Sequence, residues 1–134
     1  MSEKLSIVIV DDNEIDLMIG ERLLSRVDDS IVVYTFSCAD DVLLWLENSK
    51  IEELAEVTLF LIDIYMPVFN GFYVADKVIE KFEKLPKQAA CYLLSATIDI
   101  SDTRKINRNS KVQGYIGKPI TVHLFKDLIL KHRL

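Results

Sequence analysis

The chain has 134 residues, of which 50% are hydrophobic and 28% charged, and its formal net charge is −5. This size and composition are typical of one globular domain and exclude a disordered chain. The acidic balance argues against a nucleic-acid partner, because surfaces that bind nucleic acid usually carry a basic excess.

Apolar runs of strand length alternate with segments of helical periodicity along the chain. Strands are predicted at 5–10, 31–36, 59–63, 89–94 and 114–117. Helices are predicted at 14–27, from a cap at Ser37 to about 48, from Gly71 to 85, at 99–109 and at 121–132. The helix at 99–109 has few apolar positions and is expected to be weakly held. This alternation predicts a parallel sheet with helices on both faces, and we expect residues 1–134 to form a single domain without an output domain.

The strand at 59–63 organises the rest of the chain. Its four apolar residues lead directly into Asp63, and Pro67 follows soon after. An apolar run that ends on a charge predicts a buried central strand with that charge at its carboxyl end. A buried carboxylate without partners is costly, so Asp63 is expected to have charged or polar neighbours.

Candidate neighbours of Asp63 follow the other strands. Asp11 and Asp12 come after the first strand, Ser95 ends the fourth, and Lys118 follows the fifth. Ligands of parallel sheets bind beyond the carboxyl ends of the strands, so these side chains are expected to share one crevice. An Asp-Asp pair after a strand is, taken alone, equally compatible with a helix N-cap.

Three neighbouring carboxylates repel one another unless a cation lies between them. The carboxylates, hydroxyl and lysine, without metal-spaced His or Cys, favour Mg²⁺ over zinc. With the ion in place, one carboxylate is able to act as a nucleophile toward a phosphoryl group, surrounded by Lys118 and the Ser95 hydroxyl.

A family resemblance rests on the acidic pair, the Asp63-x-x-Met-Pro motif, Gly71 eight residues beyond Asp63, Ser95-Ala96, Tyr115 and Lys118-Pro119. By these residues the chain resembles the receiver domain of two-component response regulators over essentially its whole length, and in particular single-domain receivers of the chemotaxis-regulator type. The resemblance implies a flavodoxin-like (βα)5 fold, doubly wound, with a five-stranded parallel sheet of order 2-1-3-4-5.

The resemblance also implies a role for each acidic residue. Asp63 would be the phosphoacceptor, and it would also contact Mg²⁺. Asp12 would be a direct ligand of the ion, Asp11 would act mainly through its water shell, and the backbone carbonyl of Tyr65 would supply a further ligand. The protein would then be a signalling phosphoacceptor that assists its own phosphorylation and autodephosphorylation, not an enzyme acting on a free substrate.

The remaining implied roles concern the switch. Ser95 would bind the phosphoryl oxygen, Lys118 would pair with it, and Tyr115 would be the aromatic switch residue; the Lys118–Pro119 bond is expected to be cis. The phosphodonor would be a sensor histidine kinase or a phosphotransfer protein. Phosphorylation would reshape the face formed by the helix at 99–109, the strand at 114–117 and the helix at 121–132, and a downstream protein target would read that face.

Other classes of protein fit the residues less well, and the chain also departs from the family pattern. A haloacid dehalogenase-type phosphatase would want a second Asp at position 65, which is Tyr65, and a nucleotide or flavin module would want a Gly-rich loop where the acidic residues 11–14 stand. A receiver-like scaffold that binds partners without phosphorylation stays open. About seven extra residues are expected around 50–56, remote from the chemistry.

The sequence contains no predicted signal peptide or membrane span, and no predicted disulfide or cysteine metal site. The first residues lack the layout of a signal peptide, and no apolar run approaches the ~20 residues of a membrane span. We therefore expect a cytoplasmic protein without membrane contact. Cys38 and Cys91 are isolated and predicted to be buried free thiols, and His123 and His132 are expected to lie on the surface.

Overall fold

A computed structural model describes residues 5–48, 50–96 and 112–132 of the chain. The strands are β1 (Leu5–Val10), β2 (Val32–Phe36), β3 (Val57–Asp63), β4 (Gln88–Ser95) and β5 (Val112–Gly117). The α-helices of the described part are α1 (Glu14–Val27), α2 (Ala39–Glu47), α3 (Gly71–Phe82) and α4 (Val122–His132), with a short 3-10 helix at Lys50–Glu53. The helix predicted at 99–109 lies outside the described residues.

The five strands form one parallel sheet of order β2-β1-β3-β4-β5. The predicted flavodoxin-like order 2-1-3-4-5 is therefore confirmed. β3 is central and pairs with β1 on one side and β4 on the other. Because all strands run in the same direction, their carboxyl ends meet at one edge of the sheet. Asp63 lies at that edge, opposite Leu94 of β4.

Two hydrophobic layers cover the two faces of the sheet. Alternate residues of a strand point to opposite faces, so Phe60 and Ile62 pack in one layer with α2 and α3, while Leu59 and Leu61 pack in the other with α1 and α4. Helices on both faces are thus confirmed. The double coverage explains why β1 and β3 are mostly apolar, with Ser6 and Thr58 as polar residues near their starts, since a strand buried on both faces has no solvent side to fill with polar residues.

Several boundaries differ from the prediction. The N-cap residue of α2 is Cys38, which makes no side-chain capping hydrogen bond, and not Ser37. The helix α3 ends at Phe82 and not at 85. Glu83 N–H still bonds four residues back, to Ile79 O (3.0 Å), but Lys84 N–H donates to Lys81 O (3.3 Å) and Leu85 N–H to Phe82 O (3.1 Å). A turn of this tighter kind commonly closes a helix.

The structure shows the burial of both cysteines and allows a search of the described helices for a membrane span. Cys91 is a buried free thiol, as predicted, and burial raises its pKa to about 12. Cys38 is also free but only half-buried, so its predicted full burial was wrong; it is the N-cap residue of α2, between β2 and that helix. No helix in the described ranges has the length and apolar character to cross a membrane.

The extra residues predicted around 50–56 form a packed turn. The 3-10 helix buries Ile51, and Leu54 follows it into the same hydrophobic layer as α2 and α3. The Lys87 ammonium, which lies just before β4, donates to three backbone carbonyls of this turn, Ile51 O (3.3 Å), Glu52 O (2.5 Å) and Leu54 O (2.6 Å). One side chain thereby hydrogen-bonds to three carbonyls of the turn, of which Ile51 O also accepts from Leu54 N–H (3.0 Å).

Replacing Lys87 by methionine is expected to lower the free energy of unfolding by about 1–3 kcal/mol, because hydrogen bonds from a charged donor are lost while the carbonyls stay partly buried. Urea denaturation measures the change. The matched control is Lys84→Met, which removes an exposed lysine from the same segment. Equal effects of the two substitutions would contradict the capping role of Lys87.

Candidate phosphoryl-transfer site

Asp63 is a buried carboxylate, with 6% of the residue exposed to solvent. Its Oδ1 accepts a hydrogen bond from the backbone N–H of Tyr65 (3.2 Å). The chain then turns: Ile64 N–H still bonds to Leu94 O of β4 (2.9 Å), and Gly71 N–H returns to Ile64 O (2.9 Å). The turn from Asp63 to Gly71 is therefore tied to the sheet at its start and to itself at its end, which fixes the position of Asp63.

Asp11 and Asp12 follow β1 at the same edge. Asp11 is buried, and its Oδ1 accepts a hydrogen bond from Asn13 N–H (2.9 Å), whereas Asp12 is exposed. The cap of α1 is Asn13, whose Oδ1 accepts from the N–H groups of Ile15 (3.0 Å) and Asp16 (3.1 Å). The Asp pair therefore does not serve as the helix N-cap, which was the alternative role left open by the sequence, because Asn13 caps α1.

The carboxylates of Asp11, Asp12 and Asp63 come together, with one oxygen from each lying within 4.8 Å of the others. Like charges at this spacing repel one another and favour a bound cation. The donor set consists of carboxylate oxygens, which suits Mg²⁺, and that ion typically takes one or two carboxylates and keeps several waters. The residues present therefore fit the predicted ion.

Lys118 brings a positive charge into contact with two of these carboxylates. The Lys118–Pro119 peptide bond is cis, as the sequence suggests, and Lys118 N–H donates to Ser95 O (2.8 Å). Its side chain is 15% exposed, and Nζ lies 2.6 Å from Asp11 Oδ2 and 3.2 Å from Asp63 Oδ2. The ammonium thus bridges the two buried carboxylates.

The charges of these groups follow from their surroundings. The pKa of Asp63 is raised from 3.8 to about 6: burial is the main cause, the charge of Lys118 opposes it, and the charge of Asp11 adds to it. Burial alone would lower the pKa of Lys118, but its hydrogen bond to Asp11 and the charges of Asp11 and Asp63 hold that pKa above its ordinary value. The lysine is therefore charged throughout the physiological range, and at neutral pH Asp63 is a carboxylate with raised proton affinity.

Ser95 and Tyr115 lie on β4 and β5, the two strands that follow β3 in the sheet. Ser95 ends β4, is 1% exposed and pairs with Gly117 of β5, directly before Lys118. Tyr115 lies two residues before Gly117 on β5, is half-buried and packs against the hydrophobic layer of α2 and α3. Ser95 therefore lies at the edge with the acidic group, and Tyr115 is set back from that edge by one repeat of the strand.

The structure adds a residue that the sequence reasoning missed. Asp16, in the first turn of α1, places Oδ2 3.3 Å from Lys118 Nζ. Helix spacing gives no signal for this contact, because Asp12 precedes the Asn13 cap and lies outside α1. The approach of Asp16 to Lys118 arises only when α1 packs beside the segment after β5. Asp16 is outside the group of three carboxylates whose oxygens converge.

The two histidines behave differently from each other. His123 is exposed, as predicted, and lies 3.6 Å from Asp127. The expectation that His132 is a surface residue was wrong, because its Nε2 lies 2.6 Å from Tyr92 Oη and its ring packs edge-on against that of Tyr92. Burial, together with the charge of Lys131, lowers the pKa of His132. The Tyr92 hydroxyl is a suitable donor to a neutral imidazole.

Comparison with known proteins identifies the family of the chain. Residues 7–130 match the family described as the response regulator receiver domain. The chain is 30% identical over 131 residues to hybrid signal transduction histidine kinase E of Dictyostelium discoideum, covering 92% of this chain and 7% of the kinase. The chain thus spans a small part of that relative.

Two solved structures have the same fold. A response regulator receiver protein from Dyadobacter fermentans is 25% identical, with a TM-score of 0.77 and coverage of 95% of this chain and 96% of that one. The receiver domain of Ssk1 from Saccharomyces cerevisiae, solved in complex with the histidine phosphotransfer protein Ypd1, is 19% identical, with a TM-score of 0.73 and coverage of 99% and 91%. The family match covers nearly the whole chain, and this protein belongs to the response regulator receiver domain family of two-component signalling.

Proposed function

We propose that Asp63 accepts a phosphoryl group from a phosphohistidine on a sensor histidine kinase or a histidine phosphotransfer protein, in a step that depends on Mg²⁺. A carboxylate oxygen of Asp63 would form a bond to phosphorus while the bond between phosphorus and the imidazole nitrogen of the donor breaks, and the nitrogen keeps the electron pair. The observation that carries the proposal is the Asp63 carboxylate itself, buried at a strand end within 3.2 Å of Lys118 Nζ and beside two further carboxylates.

Each residue of the site would have a separate role in the transfer. Asp11, Asp12 and Asp63, with the backbone carbonyl of Tyr65, would hold Mg²⁺, which when bound supplies positive charge to the transferred oxygens. Lys118 would donate to a phosphoryl oxygen and offset the charge that accumulates there. The Ser95 hydroxyl would donate to another. The same groups then face the aspartyl phosphate while water hydrolyses it.

The output would be a change of surface. A phosphoryl group brings roughly −2 of charge and three acceptor oxygens to the edge of the sheet. Ser95 would move toward it, and Tyr115 would fill the space that Ser95 leaves, so that two arrangements of the β5 region differ in stability according to phosphorylation. The face that includes β5, α4 and the helix predicted at 99–109 would present this change to a downstream protein.

Intact-mass measurement tests the proposal. Incubation with acetyl phosphate and Mg²⁺ is expected to add one phosphoryl group to the parent protein, none to Asp63→Asn, and none to the parent when EDTA replaces Mg²⁺. Asp29→Asn, which removes an exposed carboxylate after α1, is expected to behave as the parent.

The alternative, a receiver-like scaffold, predicts a different result. If the parent gains no phosphoryl group from acetyl phosphate or from a phosphorylated histidine phosphotransfer protein, the proposal is wrong and the scaffold is favoured. Equal labelling of Asp63→Asn would assign the chemistry to another residue.

A further inference from the structure

The Lys118 ammonium is fully occupied by carboxylates. An ammonium has three hydrogens to donate, and Nζ lies within reach of three acceptors: Asp11 Oδ2 at 2.6 Å, Asp63 Oδ2 at 3.2 Å and Asp16 Oδ2 at 3.3 Å. A phosphoryl group on Asp63 that is to receive a hydrogen bond from Lys118 must therefore displace one of these contacts.

Asp16 differs from the other two partners of Lys118. Its side chain is 42% exposed, against 2% for Asp11 and 8% for Asp63. It belongs to helix α1, whereas the other two lie at strand ends, and it does not reach the convergent oxygens of the acidic group. Asp16 is thus placed to act on Lys118 without being nucleophile or metal ligand.

The structure also leaves room for the lysine to move. A cavity of about 50 Å³ lies between α1 and the segment after β5, and its lining includes Asp16, Ile19, Lys118 and Ile120. Water screens an ion pair more strongly the more exposed its partners are, and Asp16 is the most exposed of the three carboxylates around Lys118. The pair with Asp16 is therefore the one that Lys118 exchanges at the lowest cost.

We propose that Asp16 is a positioning residue that competes with the phosphoryl group for Lys118, and so slows phosphorylation of Asp63 and shortens the lifetime of the aspartyl phosphate. The inference rests on the proposed function. In the unmodified protein Asp16 holds one N–H of the ammonium, and after transfer that N–H must turn from Asp16 to a phosphoryl oxygen. Removal of the Asp16 charge leaves this N–H ready for the phosphoryl group.

The test compares rates in three single variants. Asp16→Asn is expected to be phosphorylated by acetyl phosphate about two- to fivefold faster than the parent. It is also expected to lose its phosphoryl group about two- to fivefold more slowly. Asp16→Glu keeps the charge and is expected to stay within twofold of the parent, about the resolution of such rates. Glu14→Gln removes an exposed carboxylate from the same turn of α1 and is expected to have no effect. The rate differences between Asp16→Asn and the parent are expected to shrink as salt rises, since the Asp16 carboxylate is 42% exposed.

A double-mutant cycle separates this role from a structural one. In a Lys118→Met background, Asp16→Asn is expected to leave the residual rates unchanged, because the competition acts through the ammonium. An equal gain in that background, or an equal gain from Glu14→Gln, would overturn the inference while leaving the proposed function intact. If Asp16→Asn matches the parent, the inference is also overturned. A parent that takes no phosphoryl group overturns both the inference and the proposed function.

Discussion

Asp63→Asn is expected to be more stable than the parent at pH 8 in the absence of divalent metal, by about 1–3 kcal/mol, and to lose this advantage below about pH 4. Burial is the main cause that raises the pKa of Asp63 to about 6 in the folded protein, from 3.8. Between these values the folded state keeps a proton that the unfolded state has released. The stability of the parent therefore falls as the pH rises through this window, and an uncharged amide at position 63 avoids that loss.

Urea denaturation at several pH values, with EDTA present, measures the difference between variant and parent. Asp29→Asn controls for the loss of one negative charge at the surface. Added Mg²⁺ is expected to stabilise the parent more than Asp63→Asn, because a ligand that binds the folded state raises its stability by mass action. A difference between variant and parent that stays constant from pH 4 to pH 8 would contradict the raised pKa.

Gly71→Ala is expected to lower the free energy of unfolding by about 2–4 kcal/mol. A Cβ at this position would lie 2.8 Å from Ile64 Cα and 2.9 Å from the carbonyl carbon of Asp63, and it would also meet the Asp63 carbonyl oxygen. These are backbone atoms, so the clash is relieved only if the start of α3 or the end of β3 shifts. Alanine otherwise favours a helix over glycine by about 1 kcal/mol, and the steric cost outweighs that gain.

Gly117→Ala is the matched control, because a Cβ there meets nothing within 4 Å. It is expected to change the unfolding free energy by about 0.5 kcal/mol or less, as is usual away from packed atoms. Thermal and urea unfolding measure both variants. If Gly71→Ala is as stable as Gly117→Ala, the close approach of α3 to the end of β3 does not constrain the fold.

Much of the fold was predictable because it depends on patterns that are local in the sequence. The apolar run before Asp63 marks a strand covered on both faces, and the polar residues that follow four strands mark a common edge. The positions of Asp11, Asp63 and Lys118 in one site follow from that topology alone. The sequence therefore predicts which of these residues lie near one another, but it does not predict the distances between their atoms.

Contacts between side chains of distant segments were not predictable. Lys87 reaches a turn more than 30 residues earlier, and Tyr92 meets His132 across the space between β4 and the end of α4. Neither pair has a spacing that signals contact, since only the packed fold brings them together. The same reason explains the mistake about His132, whose place near the end of a helix is typical of an exposed residue.

The strand β3 contributes alternate side chains to both hydrophobic layers, and this has a consequence for how the protein loses its site. Phe60 and Ile62 are held by one layer, and Leu59 and Leu61 by the other. Detaching either pair of helices would strip one side of the strand that carries Asp63. The site is therefore expected to have no unfolding transition of its own. Asp63 should lose its contacts with Asp11 and Lys118 when either layer comes apart, together with the global fold.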